Sequence, residues 1–177
     1  MATVKSFGGK VPVLGERVYL AETAAVIGDV ALGDDVSVWY GAVVRGDCHF
    51  IRVGDRSNIQ DNCVLHVTQG THPTILEEEV TLGHGAIVHG ATVRKGALIG
   101  IGATVLDGAD VGESAFVGAG ALVTPGTRVP PRTLWLGAPA RQVRALSEKE
   151  LSDLPLYHRH YLDYKEEYFR VDGRWAR

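Results

Sequence analysis

An aliphatic residue recurs at every sixth position in long runs of this 177-residue chain, and this period restricts its possible folds more than any other feature. The residues are Leu20, Val26, Leu32, Val38, Val44, Val53, Ile59, Leu65, Val93, Ile99, Val105, Val111, Val117 and Val123. A small residue follows most of them four positions later, as Ala97, Ala103 and Ala109 do. A helix repeats every 3.6 residues and a half-buried strand alternates every two, so a sustained period of six indicates neither alone.

Three six-residue steps form one coil of a triangular prism, in which each step is a short strand that ends in a tight corner. Gly100 and Gly102 precede Gly118 and Gly120 by 18 positions, which independently supports a coil of 18 residues. Glycine suits such corners because it tolerates positive φ and the close approach of another backbone. The sequence therefore predicts a mainly β solenoid of stacked coils around an aliphatic interior.

The repeat also sets the expected domain organisation. We predict a β-helix domain, a connecting segment and a C-terminal helix packed on the prism, over residues 13–124, 125–146 and 147–170. Ser147 and Glu150 have the spacing of a capping box, and Pro155 is expected to split or restart the helix. Four tyrosines share one helix face, and packing against the prism is their simplest role. They are Tyr157, Tyr161, Tyr164 and Tyr168.

Charge and cysteine content exclude several classes of protein. The 18 Lys and Arg residues are outnumbered by 21 Asp and Glu residues, so the net charge is −3 and no nucleic-acid partner is expected. Two cysteines, Cys48 and Cys63, are too few for a disulfide framework and are expected as reduced, structural thiols. Because the chain has no apolar run of about 18 residues and no signal-peptide core, we expect a cytoplasmic protein without a membrane partner.

Three of the seven histidines are predicted to point outward from the prism. His66 follows the inward Leu65, His89 follows the inward Val88, and His84 follows a corner glycine. His66 and His84 are 18 positions apart, so we expect them on one face of the prism. Imidazole is a common zinc ligand, and three histidines plus water form a catalytic zinc site. Two histidines that merely lie at the surface are the alternative interpretation.

Polar residues accompany these histidines in the two places where the repeat is interrupted. Arg45 and Asp47 open the first interruption, and Asp61 precedes the second. Such residues can orient imidazole rings or join neighbouring chains through paired charges, although a purely structural ion-pair cluster is also compatible with the pattern. His72, in the second interruption, could transfer protons or simply be solvated, and His158 in the C-terminal helix is expected to face solvent.

The combination of motifs resembles the gamma-class carbonic anhydrase family of hexapeptide-repeat proteins. The motifs are Arg45-x-Asp47, Asn58-x-Gln60-Asp61, His66 and His84-x4-His89. The resemblance spans nearly the whole chain and implies a left-handed parallel β-helix with a C-terminal α-helix. The left hand comes from the resemblance alone, since physical arguments favour right-handed crossovers between parallel strands.

The resemblance implies a metal centre shared between the subunits of a homotrimer. The expected cofactor is Zn²⁺, with Fe²⁺ or Co²⁺ as further possibilities, and the small-molecule substrate is CO2 or bicarbonate. His66 and His89 would bind the metal from one chain, and His84 would bind it from the neighbouring chain. CO2 would be hydrated reversibly by hydroxide on the metal, which lowers the pKa of bound water to about 7.

The resemblance also assigns roles around the metal. Gln60 would contact the metal-bound water, Asn58 would help to orient the site, and a tyrosine of the C-terminal helix would approach that water. We expect this tyrosine to be Tyr161, in the middle of the segment, with Tyr157 and Tyr164 as the alternatives. An intersubunit polar network would consist of Arg45, Asp47 and Asp61. The chain departs from the best-studied form of the family at Cys48, where a glutamate is usual, and in the loop 68–73, which has no acidic residue. These departures match a shorter subgroup of the family.

Other functions are compatible with the same fold, because function depends on sites rather than on folds. One is an acyltransferase that uses a histidine as general base with an acyl-coenzyme A donor. An acyl-CoA thioesterase could use the same zinc site, and a metal-stabilised trimeric scaffold would have little or no activity. Three histidines at metal-ligand spacing favour the carbonic anhydrase over the acyltransferase, which needs one histidine and no metal.

Overall fold

The computed structural model describes residues 2–172, apart from the side chain of residue 172, and shows a left-handed parallel β-helix of about seven coils with one C-terminal helix. The predicted fold class is therefore confirmed. The strands are β1 (Thr3–Lys5), β2 (Val13–Leu14), β3 (Tyr19–Leu20), β4 (Ala25–Leu32), β5 (Ser37–Val38), β6 (Val43–Val53), β7 (Asn58–Ile59), β8 (Val64–His66), β9 (Thr74–Leu76), β10 (Thr81–Leu82), β11 (Ile87–His89), β12 (Thr92–Val93), β13 (Leu98–Ile99), β14 (Thr104–Val105), β15 (Asp110–Val111), β16 (Phe116–Val117), β17 (Leu122–Val123), β18 (Arg128–Val129), β19 (Thr133–Leu136) and β20 (Arg141–Ala145). The helix α1 spans Glu148–Asp172.

Stacked parallel strands make the three faces of the prism. The first face contains β1, β4, β6, β8, β11, β14 and β17, and the second contains β2, β4, β6, β9, β12, β15 and β18. The third face contains β3, β5, β7, β10, β13, β16 and β19, with β20 paired antiparallel to β19 at its edge. The long strands β4 and β6 pass around one corner and so belong to both the first and the second face.

The interior of the prism is a set of aliphatic columns. On the first face Val26, Val44, Leu65, Val88 and Val105 pair in register from coil to coil, and each is 0% exposed. Full burial of such a side chain contributes about 1.5–3 kcal/mol. The residues of the six-residue period are therefore the core, and the residues that follow them are directed outward.

The C-terminal region differs from the expectation in two respects. The segment 125–146 contains β18 and β19, which continue the second and third faces, and β20. The helix α1 is continuous through Pro155, which neither splits nor restarts it. Proline removes one backbone donor, but packing on the prism on both sides of Pro155 holds the two halves in one helix. Ser147 and Glu150 form the capping box: the Glu150 N–H donates to Ser147 Oγ and the Ser147 N–H to Glu150 Oε2.

The helix α1 packs along the third face of the prism. Near its start Leu154 packs with Leu98, and further along Tyr161 meets Trp39 edge-on, with ring centroids 5.3 Å apart. His158 lies between these contacts and is buried, contrary to its predicted exposure, because it is on the side of the helix that faces the prism. Within residues 2–172, no helix combines the length and hydropathy needed to span a bilayer.

A buried ion pair fixes the second half of α1 to the first coils. Lys165 is 1% exposed, and its Nζ donates to Asp35 Oδ1 at 2.5 Å and to the Arg17 carbonyl oxygen at 2.9 Å. Burial raises the pKa of Asp35, but hydrogen bonds from Lys165 and Arg17 outweigh burial and hold that pKa below its ordinary value. The carboxylate therefore stabilises the fold above its unfolded pKa near 4, and this contribution is lost as the pH falls through the folded pKa.

We expect Asp35→Asn to lower the free energy of unfolding at pH 7 by about 3 kcal/mol, because it leaves the Lys165 ammonium buried without its carboxylate. The difference from the wild type should shrink as the pH falls below about 4 and be smallest below the lowered folded pKa of Asp35, where the carboxyl group is protonated in both states. Urea unfolding across this pH range measures both effects. Asp153→Asn, which disrupts an exposed pair with Lys149, is the matched control and should change stability little. Equal effects of the two substitutions would contradict the prediction.

Candidate metal centre

The predicted functional residues fall into two clusters at opposite ends of the first-face strands. The His66–His89 cluster consists of Arg45, Asp47, His66 and His89, where β8 and β11 end. The His84 cluster lies at the corner before β11 and consists of Asn58, Gln60, Asp61, His84 and Tyr161. Within one chain the structure therefore brings His66 and His89 together and leaves His84 at the other end of β11.

The expectation that His66 and His84 share a face is wrong. His66 pairs in register with His89, which lies 23 positions further along the chain rather than 18. The coil is longer because a small hairpin, closed by an antiparallel bridge between Thr68 and His72, is inserted after β8. The insertion shifts the register by five residues, so the second histidine of the His84-x4-His89 motif, not the first, stacks on His66.

The two imidazoles of the His66–His89 cluster are in direct contact. Nδ1 of His66 lies 3.0 Å from Nε2 of His89, and the ring centroids are 5.0 Å apart. The side chains are 19% and 32% exposed, so a metal ion can reach them from solvent.

In each imidazole, the nitrogen that faces away from the other ring, here called the outer nitrogen, contacts a carboxylate. Asp47 Oδ1 lies 3.1 Å from His66 Nε2, and Asp107 Oδ1 lies 2.6 Å from His89 Nδ1. Arg45 donates to the second oxygen of Asp47, and Thr68 Oγ1 donates to Asp107 Oδ2 at 2.6 Å. Burial raises the pKa of both carboxyl groups, but these hydrogen bonds outweigh burial and hold both pKa values below the ordinary range. Both groups are therefore ionised at neutral pH and can only accept.

The four groups from Asp47 to Asp107 form a row that has more contacts than ring protons. The row from Asp47 through His66 and His89 to Asp107 contains three contacts, and two neutral imidazoles carry two N–H protons. If each imidazole donates to its carboxylate, the contact between His66 Nδ1 and His89 Nε2 brings two lone pairs together. Such a contact is stabilised by a third proton or by a metal ion. The residues present therefore fit a metal ion bound between the two rings.

The His84 cluster holds a third imidazole in a fixed setting. His84 Nδ1 lies 2.8 Å from Asp61 Oδ2, and the His84 backbone N–H donates to Gln60 Oε1 at 3.2 Å. Gln60 Nε2 donates to Asn58 Oδ1 at 3.1 Å, and Asn58 Nδ2 donates to Thr81 Oγ1 at 2.9 Å. The His84 side chain is 48% exposed, so its Nε2 is accessible to a group outside the chain.

Tyr161 lies beside the His84 cluster on α1. Burial against Trp39, followed by the negative charge of Asp61, raises the pKa of the Tyr161 phenol to about 12. The phenol therefore keeps its proton at neutral pH. Tyr161 is less exposed than the other tyrosines of the predicted stripe, Tyr157, Tyr164 and Tyr168. Asp61 contributes to the raised pKa of its phenol.

Sequence reasoning missed Asp107 and misplaced Cys48. Asp107 lies 18 positions after His89, which is the length of the standard coil, and that spacing was a signal that could have identified it. Cys48 was expected to be a structural thiol, but it is exposed, because the residues inserted in β6 carry it out of the interior. Cys63 is buried as expected, and burial raises the pKa of its thiol to about 12.

A left-handed β-helix with paired surface histidines oriented by carboxylates defines a hexapeptide-repeat protein with a candidate metal centre on its outer face. A Geobacillus kaustophilus protein named carbonic anhydrase is 43% identical over 165 residues, which cover 93% of this chain and 90% of that protein. Gamma carbonic anhydrase 1 of Arabidopsis thaliana, named as mitochondrial, is 43% identical over 85% of this chain and 56% of its own length. The chain belongs to the gamma carbonic anhydrases, and its named relatives are lyases.

A solved structure from Bacillus cereus, described as a candidate acetyltransferase, superposes with a TM-score of 0.93 and 38% identity. The superposition covers 96% of this chain and 98% of that one. No protein-family model matches the chain. The structural likeness supports the hexapeptide-repeat fold.

The geometry predicts the tautomer of His89. In the metal-free protein at about pH 8 the proton should lie on Nδ1, because the Asp107 carboxylate can only accept. Asp107→Ala removes the acceptor and should shift the proton toward Nε2, as long-range nitrogen–proton NMR correlations of labelled histidine would show. Asp110→Ala, which removes a carboxylate paired with Arg94, is the matched control and should leave His89 unchanged. An unchanged tautomer in Asp107→Ala would contradict the assignment.

Proposed function

We propose that this protein is a zinc-dependent carbonic anhydrase that interconverts CO2 and bicarbonate at sites shared between the subunits of a homotrimer. The observation that supports this most directly is the contact of 3.0 Å between His66 Nδ1 and His89 Nε2. Ionised carboxylates occupy the outer nitrogens of both rings, so the inner nitrogens are the ones left for a metal ion. A cytoplasmic location belongs to the same proposal.

The donor set suits zinc. Catalytic zinc has three protein ligands and one open position, and Zn–N distances of about 2.0–2.1 Å place two ligand nitrogens about 3.4 Å apart. The facing nitrogens of His66 and His89 need to separate by only a few tenths of an ångström from their 3.0 Å contact. The third ligand is His84 of a neighbouring copy, since His84 of the same chain precedes β11. Fe²⁺ and Co²⁺ also accept imidazole ligands.

The position of the two clusters favours a closed ring of copies, and the proposed number of three follows the family resemblance. A contact between the His66–His89 cluster of one copy and the His84 cluster of the next is head-to-tail, and such contacts form closed rings when the rotation closes. Between the clusters the first face presents the outward side chains of Val43, Val64 and Ile87, of which Ile87 is 38% exposed. Burial of these apolar side chains would stabilise the trimer. Arg45 and Asp61 remain accessible at the two edges for pairing across the contact.

When bound, zinc supplies a water whose pKa falls to about 7 and which is a nucleophile toward CO2 at neutral pH. The chain's own residues orient the groups around it. Asp107 and Asp61 hold the Nδ1 atoms of His89 and His84, which leaves the Nε2 atom of each ring as the one that would bind a metal ion. Gln60 is fixed by Asn58 and by the His84 N–H, and the protonated Tyr161 phenol provides one hydrogen-bonding group beside Asp61.

Acyl transfer from an acyl-coenzyme A is the second candidate. It is supported by the description of the 38% identical Bacillus cereus structure and by the Asp107–His89 pair, an arrangement in which histidine can act as general base. Dependence on a bound metal ion distinguishes the acyltransferase from the carbonic anhydrase. Chelator-treated protein that still transfers acyl groups would favour the acyltransferase, whereas CO2 hydration that needs restored zinc supports the carbonic anhydrase.

The shared site predicts complementation between two inactive variants. His84→Ala and His89→Ala should each abolish CO2 hydration and zinc binding at the shared centre. When the two are unfolded together in equal amounts and refolded, every mixed trimer contains one intact site, so about one quarter of the wild-type activity and of the zinc bound at the shared centre should return. Stopped-flow CO2 hydration and metal analysis measure the two quantities.

A matched pair of variants gives the control for this experiment. His66→Ala and His89→Ala remove ligands that the same chain contributes, so mixing them restores no intact site. Activity in this second mixture, or none in the first, would contradict a site built from His66 and His89 of one chain and His84 of the next. A monomer in light scattering would contradict it as well.

Tyr161→Phe should lower kcat by about 10²-fold while zinc content stays the same, because the phenol orients the reacting groups and does not bind the metal. Tyr164→Phe, on the same helix but 53% exposed, is the matched control and should leave kcat unchanged. Full activity of Tyr161→Phe would remove this residue from the site.

A further inference from the structure

The row of groups from Asp47 to Asp107 has a second place where a cation fits. Three contacts share two protons, and His66 can carry its proton on either ring nitrogen. With the proton on Nδ1, His66 donates to His89 Nε2 across the 3.0 Å contact. The His66 Nε2 lone pair then faces the Asp47 carboxylate at 3.1 Å, and this contact is the one that needs a cation.

A third metal ligand lies beside that contact. Asp47, Cys48 and His66 each offer one ligand atom, and these atoms lie within 4.8 Å of one another. Arg45 binds the Asp47 oxygen that does not face His66, so the other oxygen is oriented toward the ring. The Cys48 thiol is exposed, and its Sγ contacts the Val67 carbonyl oxygen at 3.6 Å and also interacts with the Asp47 side chain.

We propose that each chain by itself binds one divalent metal ion through Asp47, Cys48 and His66 Nε2, and that this site loads the metal centre shared between subunits. The second part of the proposal rests on the proposed function, since it takes the shared centre as the destination. His66 belongs to both sites through its two nitrogens. The loading site is complete in one chain, whereas the shared centre needs two.

The chemistry of the ligands selects the metal. One thiolate, one imidazole and one carboxylate suit the borderline-soft ions Zn²⁺ and Co²⁺ and disfavour Mg²⁺ and Ca²⁺, which prefer oxygen ligands. Burial and the Asp47 charge raise the pKa of the Cys48 thiol, so the free thiol is protonated and the metal ion must displace that proton to solvent. The same Asp47 charge attracts the ion.

Transfer of the metal ion from the loading site to the shared centre exchanges ligands and protons and involves no redox change. The bonds from the metal to Nε2 of His66, to Cys48 and to Asp47 break, and bonds form to Nδ1 of His66, to Nε2 of His89 and to Nε2 of His84 of the neighbouring copy. The proton on Nδ1 is lost to solvent and Nε2 takes one up, which restores its hydrogen bond to Asp47. Cys48 takes up a proton from solvent as its thiol is released.

Cobalt binding to the full-length His84→Ala variant tests the loading site, because this variant lacks the shared centre. Titration with Co²⁺ should produce the near-ultraviolet thiolate-to-cobalt charge-transfer absorption, saturating at one equivalent per chain. Adding Cys48→Ser to this variant should abolish the band and weaken Co²⁺ binding by at least about 100-fold, since losing a ligand costs more than losing an outer hydrogen-bond partner. Adding Cys63→Ala instead is the matched control, because Cys63 is buried away from the cluster, and the band should persist.

The outcomes separate this proposal from the proposed function. Absence of the band in His84→Ala, or its persistence after Cys48→Ser, overturns the loading site, whatever the wild type does with CO2. A band that behaves as expected while mixed His84→Ala and His89→Ala chains regain no CO2 hydration activity supports the Asp47–Cys48–His66 site and overturns the shared centre as its destination.

Discussion

The register between successive coils is the constraint on which the rest of this structure depends. Leu65 and Val88 fill the interior at adjacent levels of the same column, so the residues that follow them, His66 and His89, must lie side by side on the outside. The aliphatic column thus holds two imidazole rings with nitrogens 3.0 Å apart. Functional groups on stacked strands are held more rigidly than groups on loops, and this rigidity suits metal ligation.

The carboxylates at both ends of the histidine pair determine what this proximity can do. Asp47 and Asp107 stay ionised because hydrogen bonds stabilise their charge, and an ionised carboxylate can only accept. Three contacts then share two protons, so one contact along the row favours a cation. The location of that contact depends on the tautomer of His66, so the proposed shared centre and the proposed loading site are alternative positions for a cation along the same row of groups.

The helix α1 connects the N-terminal coils to the chemistry at the corner before β11. The buried Lys165 binds Asp35 in the first coils, and one helical turn earlier Tyr161 packs on Trp39 beside Asp61. The orientation of the phenol therefore depends on an ion pair that spans 130 positions of the chain. The three histidines are divided between two edges of the prism, so a single chain brings together only part of the proposed ligand set.

The sequence alone determined the solenoid, because a six-residue period states directly which side chains face inward. It also indicated the outward histidines and the capping box at Ser147, because each depends on neighbours a few residues away. Only the tertiary structure decided that His66 stacks on His89 and does not share a face with His84. It also decided that Asp107 contacts His89, and that α1 continues through Pro155 without a break. The physical reason is that contacts between coils depend on the exact length of each coil, which the hairpin at Thr68–His72 changes, and on packing energies that outweigh local preferences.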